Sequence, residues 1–240
     1  MELKSVFAAY GEKPLLFLWG SLLYVFFSLI VLLSTIGILL VSFLLLFFFG
    51  YLPNFDTPLN LILYALPTTI ALLFMLYMNG CITAATIYAY KNATNGTVIS
   101  LIDFYHYGLS RGPMMFSIGV LRDFFMFIVI GVGTAIYYYG LQGFEYGTHI
   151  LAIYTLMVLF VFHLITKPGI IACGLGERPF ESFKKTYLVF AKKHIYFIVF
   201  FTMYAFVWLM NFIPILQFIS LFVLFPLSYS ALIKMVEEIR

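Results

Sequence analysis

No charged residue stands between Lys13 and Asp56, and none between Asp56 and Lys91. Each interval exceeds the ~20 residues that cross a bilayer as a helix. A third uncharged run opens at Pro113, is interrupted by Arg122-Asp123 and resumes to Tyr139, and a fourth covers residues 147–166. The last, residues 195–233, is about twice the spanning length and carries Asn211, Pro214 and Gln217 near its middle, which predicts a tight hairpin between two spans. Only 10% of the 240 residues are charged and 64% are hydrophobic, too few polar groups to clothe a water-soluble surface. The sequence therefore predicts an all-α integral membrane protein with six transmembrane helices, a single transmembrane domain over residues 1–240.

Drawn as six spans, the chain places all 13 of its Lys and Arg residues on one side of the membrane. The loops on the other side hold only Asp56 and Glu145 as charges. Basic loops stay cytoplasmic during insertion, so both termini are expected in the cytoplasm and the protein in the cell (plasma or inner) membrane. A rival parse breaks the first run at Ser34-Thr35-Ile36-Gly37 to give seven spans, but it sends the later Lys clusters outside. The first two spans, about 55 Å long at 1.5 Å per residue, must tilt, bend at Gly37 or Pro67, or project beyond the lipid. Met1-Glu2-Leu3-Lys4 leads into a stretch too long for a signal peptide, so no cleavable signal is expected. Cys81 and Cys173 lie in or beside spans, with no spacing that indicates a disulfide or a metal site.

A threefold repeat is also legible. PLLFLWG at residues 14–20 is matched by PMMFSIG at 113–119 and loosely by HIYFIVF at 194–200. Each opens a span and follows a short amphipathic segment, at residues 3–10, 98–109 and 180–190. The predicted unit is an interfacial helix followed by a membrane hairpin, with pseudo-repeats of about 1–91, 97–168 and 177–240. In the third segment Phe180, Phe183, Tyr187 and Phe190 share one helical face while Lys184, Lys185, Lys192 and Lys193 lie towards water, the pattern of a helix in the headgroup layer. In the second, Ser100 and Asp103 have capping-box spacing, and Gly108 and Gly112 are placed to terminate the helix.

AATIYAYKNATNGTVISLIDFYHYGLSRGPMMFSIG resembles a bacterial family of small membrane proteins often encoded beside carbohydrate ABC importers. KPGIIACGLGERPFESFKKTYLVFAKKH is similar to the membrane domain that precedes some glycerophosphodiester phosphodiesterases. The resemblance covers roughly the last two thirds of the chain, from Gly80 onward; the long first hairpin fits neither group. It implies a multi-pass helical fold, and the absence of any phosphodiesterase motif means that no activity is implied with it.

Four polar residues inside the predicted spans are candidate working residues: Arg122, Asp123, His163 and Asn79. Charge within a span is costly and marks either function or an interface. The favoured reading has Arg122 snorkel to the inner headgroups and Asp123 cap or pair with a neighbour; the sharper one makes them a binding pair in a polar cavity. For His163 an interhelical hydrogen bond is favoured over metal ligation, since Glu145 and His149 are too few and too scattered to complete a site. Asn79, Thr83 and Thr86, beside Gly80, Ala84 and Ala85, read as a close helix-packing face. Lys184, Lys185, Lys192 and Lys193 are candidates for contact with anionic lipid heads on the cytoplasmic side. No phosphate loop, nucleophile elbow or carboxylate pair is present, and a net charge of +3 without a soluble reader domain argues against nucleic acid.

The function expected is that of a non-enzymatic accessory or scaffolding component that binds lipid or a membrane partner such as a transporter subunit, without metal or cofactor, alone or as a homo-oligomer. The alternative is a small transporter or channel with a polar path near Arg122 and Asp123. A lipid-modifying enzyme would need His163, Asp123 and His106 to converge.

Overall fold

The computed structural model describes residues 3–50, 58–141, 143–144, 146–210 and 213–239. The turn at residues 51–54, Asp56, Glu145, Asn211 and Arg240 lie outside them. The chain folds into helices α1 (Leu3–Glu12), α2 (Pro14–Phe48), α3 (Pro58–Thr94), α4 (Leu101–Ile136), α5 (Gly147–Ile165), α6 (Lys167–Gly174), α7 (Pro179–Met210), α8 (Pro214–Ile219) and α9 (Phe225–Glu237). Two π-helical turns, Tyr137–Leu141 and Ser220–Leu224, follow α4 and α8. No strand occurs among the described residues. Five helical runs are long and apolar enough to cross a membrane. A sixth is counted if the two arms of α7, Pro179–Ile195 and Ile198–Val207, are taken together across their 101° bend.

α2 passes without a break through Ser34 and Gly37, which removes the seven-span parse. α3 likewise contains Pro67 without ending there. At the bend in α7, Lys193 leaves helical geometry (φ −128°, ψ 29°), at the point where the sequence pattern changes from amphipathic segment to span.

The second amphipathic segment departs from expectation. Ser100 and Asp103 do form a capping box, with the Asp103 amide donating to the Ser100 hydroxyl at 3.0 Å. From there α4 runs on unbroken to Ile136, so Gly108 and Gly112 terminate nothing. Both are buried against α3: a Cβ at Gly108 would lie 2.7 Å from the Cys81 carbonyl oxygen, and one at Gly112 would lie 2.9 Å from the Tyr77 hydroxyl. They are contact glycines that let two backbones approach, as Gly80 does from the α3 side against Met115.

Two glycines act through their backbone instead. Gly96 (φ +79°) and Gly176 (φ +117°) end α3 and α6 in the left-handed region, each followed by a residue whose amide reaches back five positions, Thr97 to Asn92 (2.9 Å) and Glu177 to Ala172 (3.0 Å). This is the Schellman arrangement, which satisfies the carbonyls that a helix end leaves open.

The π turn at Ser220–Leu224 raises the opposite problem, because its wider ring takes carbonyls out of the α register inside an apolar bundle. Two hydroxyls meet them: Ser21 donates to the Leu221 carbonyl at 3.2 Å and Tyr10 to that of Phe222 at 3.0 Å. Tyr90 shares the Ser21 hydroxyl at 2.8 Å, tying α1, α2, α3 and the last span together.

Charged ends gather at one pole of the bundle. Lys91 pairs with Glu237 at 2.7 Å, Lys193 with Glu238 at 2.9 Å, and Lys185 with Glu177 at 3.2 Å. Lys13 lies against Gly96, and Arg111 against Gly176. The core is built in the same half: Phe17, Ile87, Tyr90, Ile118, Ile171 and Leu232 are fully buried there. Beyond Thr35 in α2 and Ile118 in α4 no residue of those helices is buried, so packing thins towards the other pole.

Candidate functional site

Where the dense packing ends, several helices present polar side chains at a similar depth. At 1.5 Å per helical residue, Asn79 lies about 18 Å from Lys91, Arg122 about 16 Å from Arg111, Tyr229 about 12 Å from Glu237, and Lys167 about 10 Å from the end of α6. They line three adjoining cavities. One of ≈ 350 Å³ lies among Tyr24, Asn79, Thr86, Lys167, Tyr204 and Tyr229; one of ≈ 170 Å³ among Asn79, Thr83, Arg122, Asp123 and Lys167; one of ≈ 320 Å³ among Arg122, Asp123, Met126, Leu159, Phe160 and Tyr204. His163 borders all three. The four polar residues singled out within the predicted spans are thus brought together.

Arg122 pairs with Asp123, its neighbour in α4. Its Nε donates to Asp123 Oδ1 at 2.7 Å and its Nη2 stands 2.7 Å from the same oxygen, with both side chains about four-fifths buried. The 100° step between successive helical residues is bridged by the reach of the guanidinium, so the pair closes on itself and lines the cavity.

The packing face expected on α3 divides in two. Gly80, Ala84 and Ala85 serve helix contact. Asn79, Thr83 and Thr86 turn to the cavity instead. Thr83 and Thr86 donate their hydroxyl protons to the carbonyls of Asn79 and Ile82, both at 2.8 Å, so they offer the cavity oxygen lone pairs rather than donors.

Lys167 is the residue that sequence reasoning misplaces. The pattern of basic residues groups it with the cations of the inner loops; in the structure it is 6% exposed. Its Nζ donates to the Tyr229 hydroxyl at 2.8 Å and stands 5.1 Å from the Tyr229 ring centroid and 5.5 Å from that of Tyr204. A signal is present: Ile170-Ile171-Ala172-Cys173 continue the apolar run past Lys167, so the lysine interrupts a span instead of ending it. Tyr24, Tyr204 and Tyr229 are hidden by the abundance of aromatic residues, which reads as belts and packing seams.

The four lysines of the amphipathic arm are not equivalent. Lys184 and Lys192 are exposed, while Lys185 and Lys193 are half-buried in their ion pairs. Lys185 also donates to the Ile239 carbonyl. The aromatic face is split as well: Phe180 and Tyr187 are exposed, Phe183 and Phe190 pack on the core, and Ser182, Thr186 and Val189 form the buried side. His106 is exposed on α4 and does not join His163 and Asp123. Among the described residues no three His, Cys, Asp or Glu are placed to hold a metal ion, and Cys81 and Cys173 are buried free thiols.

What remains is a donor-rich cavity with two basic side chains and one carboxylate, enclosed by apolar helices. Such a site holds a polar or anionic group away from water. No protein-family model matches the chain, and neither curated proteins nor solved structures give a significant match.

Proposed function

We propose that this chain is a six-span membrane protein, with both termini in the cytoplasm, that binds a ligand of the membrane in its polar cavity and carries out no chemistry on it. The observation that carries this reading is the convergence of Lys167, Arg122, Asp123, His163 and Asn79 on adjoining cavities. Burying that many polar groups in an apolar bundle is costly unless they meet something there. The gathering of Lys91, Arg111, Lys185 and Lys193 at one pole supports the orientation, with Lys184 and Lys192 free to meet anionic headgroups. The matching glycine stops after α3 and α6 fall close to the boundaries of the proposed pseudo-repeats and support them. The accessory role suggested by the resemblance to proteins encoded beside importers, with a partner or a second copy, is part of the same proposal.

Native mass spectrometry of the chain from mild detergent tests it. The wild type is expected to retain a lipid or partner that is lost on Asn79→Leu combined with Arg122→Leu and Asp123→Leu. A protein that runs bare in both forms would end this reading. A small transporter is the second reading, favoured by Arg122 facing the cavity. It predicts vesicle flux that Arg122→Ala abolishes.

A further inference from the structure

Resting on that reading, we infer that the ligand presents a singly charged oxyanion, a phosphodiester or a carboxylate, which sits against Lys167. The charges of the walls decide this. Arg122 is matched by Asp123 through two contacts of 2.7 Å to one carboxylate oxygen. Lys167 has no such partner: among the described residues no carboxylate approaches its ammonium within 4 Å, although it is 6% exposed. The Tyr229 hydroxyl and two ring faces hold it in place but carry no formal negative charge. A proton on Lys167 would therefore stand unmatched, in surroundings of low dielectric constant where such a charge is costly, so the amine holds it as an ammonium when a counter-charge is brought beside it.

A monoanion balances that charge. A neutral ligand gives an ammonium there no counter-charge, and a dianion leaves a negative charge unmatched. The donors suit an oxyanion, because an ammonium has three N–H groups, and with Tyr229 and Tyr204 as partners one is left for the ligand. The cavity of ≈ 350 Å³ beside Lys167 has room for atoms beyond the anionic group. Leu76, Val120 and Leu159 line the neighbouring cavities and are 38–44% exposed on the apolar exterior, so the polar site borders the surface where acyl chains lie.

The test titrates the purified full chain in neutral detergent, in a Lys184→Gln, Lys192→Gln background that removes headgroup contacts on the amphipathic arm. Phosphatidylglycerol and a fatty acid are the anionic lipids, diacylglycerol the neutral one, and dimethyl phosphate and acetate the soluble anions. Thermal stabilisation by an anionic probe, absent with diacylglycerol, is expected, with at least tenfold weaker binding in Lys167→Met and retention in Lys167→Arg. Saturation by dimethyl phosphate or acetate that displaces the lipid identifies a soluble source; binding only of the acylated probes identifies a lipid. Diacylglycerol binding as well as phosphatidylglycerol, with Lys167→Met unaffected, overturns the inference while leaving the ligand-binding reading standing. Binding of none of the probes by the wild type overturns this inference, and the mass spectrometry above then decides the broader reading. If Lys167→Met does not fold, the wild-type contrast between charged and neutral lipid decides between the same two outcomes.

Discussion

Gly108 and Gly131 lie on one helix, α4, and the structure gives the same substitution opposite signs at the two. At Gly131 nothing lies within 4 Å of an added Cβ. Gly131→Ala therefore gains helix propensity without a clash, about 1 kcal/mol. At Gly108 the new atom would lie 2.7 Å from the Cys81 carbonyl oxygen and 3.2 Å from the Ala85 Cβ. The first distance is about 0.7 Å short of the 3.4 Å at which ordinary contact begins, and the atom it meets is backbone, which cannot rotate away. α4 must shift off α3, an overpacking cost of about 1–3 kcal/mol that cancels or exceeds the same propensity gain. The two variants should differ by about 1–3 kcal/mol, with Gly131→Ala above wild type and Gly108→Ala level with or below it. At roughly 2–4 °C per kcal/mol for a chain of this size, fluorescence-detected thermal unfolding in detergent should separate them by several degrees. Equal melting temperatures would refute the argument that Gly108 is a contact glycine.

Two further outcomes follow from paired polar groups. Arg122→Leu alone leaves Asp123, about four-fifths buried, without its cation, so it should be less stable than the Arg122→Leu, Asp123→Leu double variant by about 3 kcal/mol, read from the same melts; a double variant no better than the single one would show that the pair is solvated. Ser21→Ala strips partners from the buried Tyr90 hydroxyl and the Leu221 carbonyl, at about 1–3 kcal/mol, and Tyr90→Phe added to it should recover part of that loss in denaturant titration.

The correspondence between sequence and structure is closest where the signal is local. The capping box at Ser100 and Asp103 depends on three residues of separation and forms as its spacing predicts. The bend within α7 is legible because the aromatic and lysine pattern of the amphipathic segment ends at Lys192-Lys193 and an uncharged run follows. Gly108 and Gly112 mislead because a glycine at a helix end and one in a helix contact look alike until the neighbour is known. Pairing of Asp123 with a neighbour is legible in the sequence because it too is local, whereas the cavity that the pair lines is not, because its other walls come from other helices.

The uncharged runs and the grouping of basic residues by themselves determined that this chain is helical and that its helices are long and apolar enough to cross a membrane, because both properties depend on length and composition along a single helix. Tertiary structure alone decided that Lys167 is buried, that Asn79, Arg122 and His163 share its cavity, and that the amine stands between Tyr204 and Tyr229. Those residues come from α3, α4, α5, α6, α7 and α9, and it is the crossing of the helices, set by glycine contacts such as Gly80 and Gly108, that places them together.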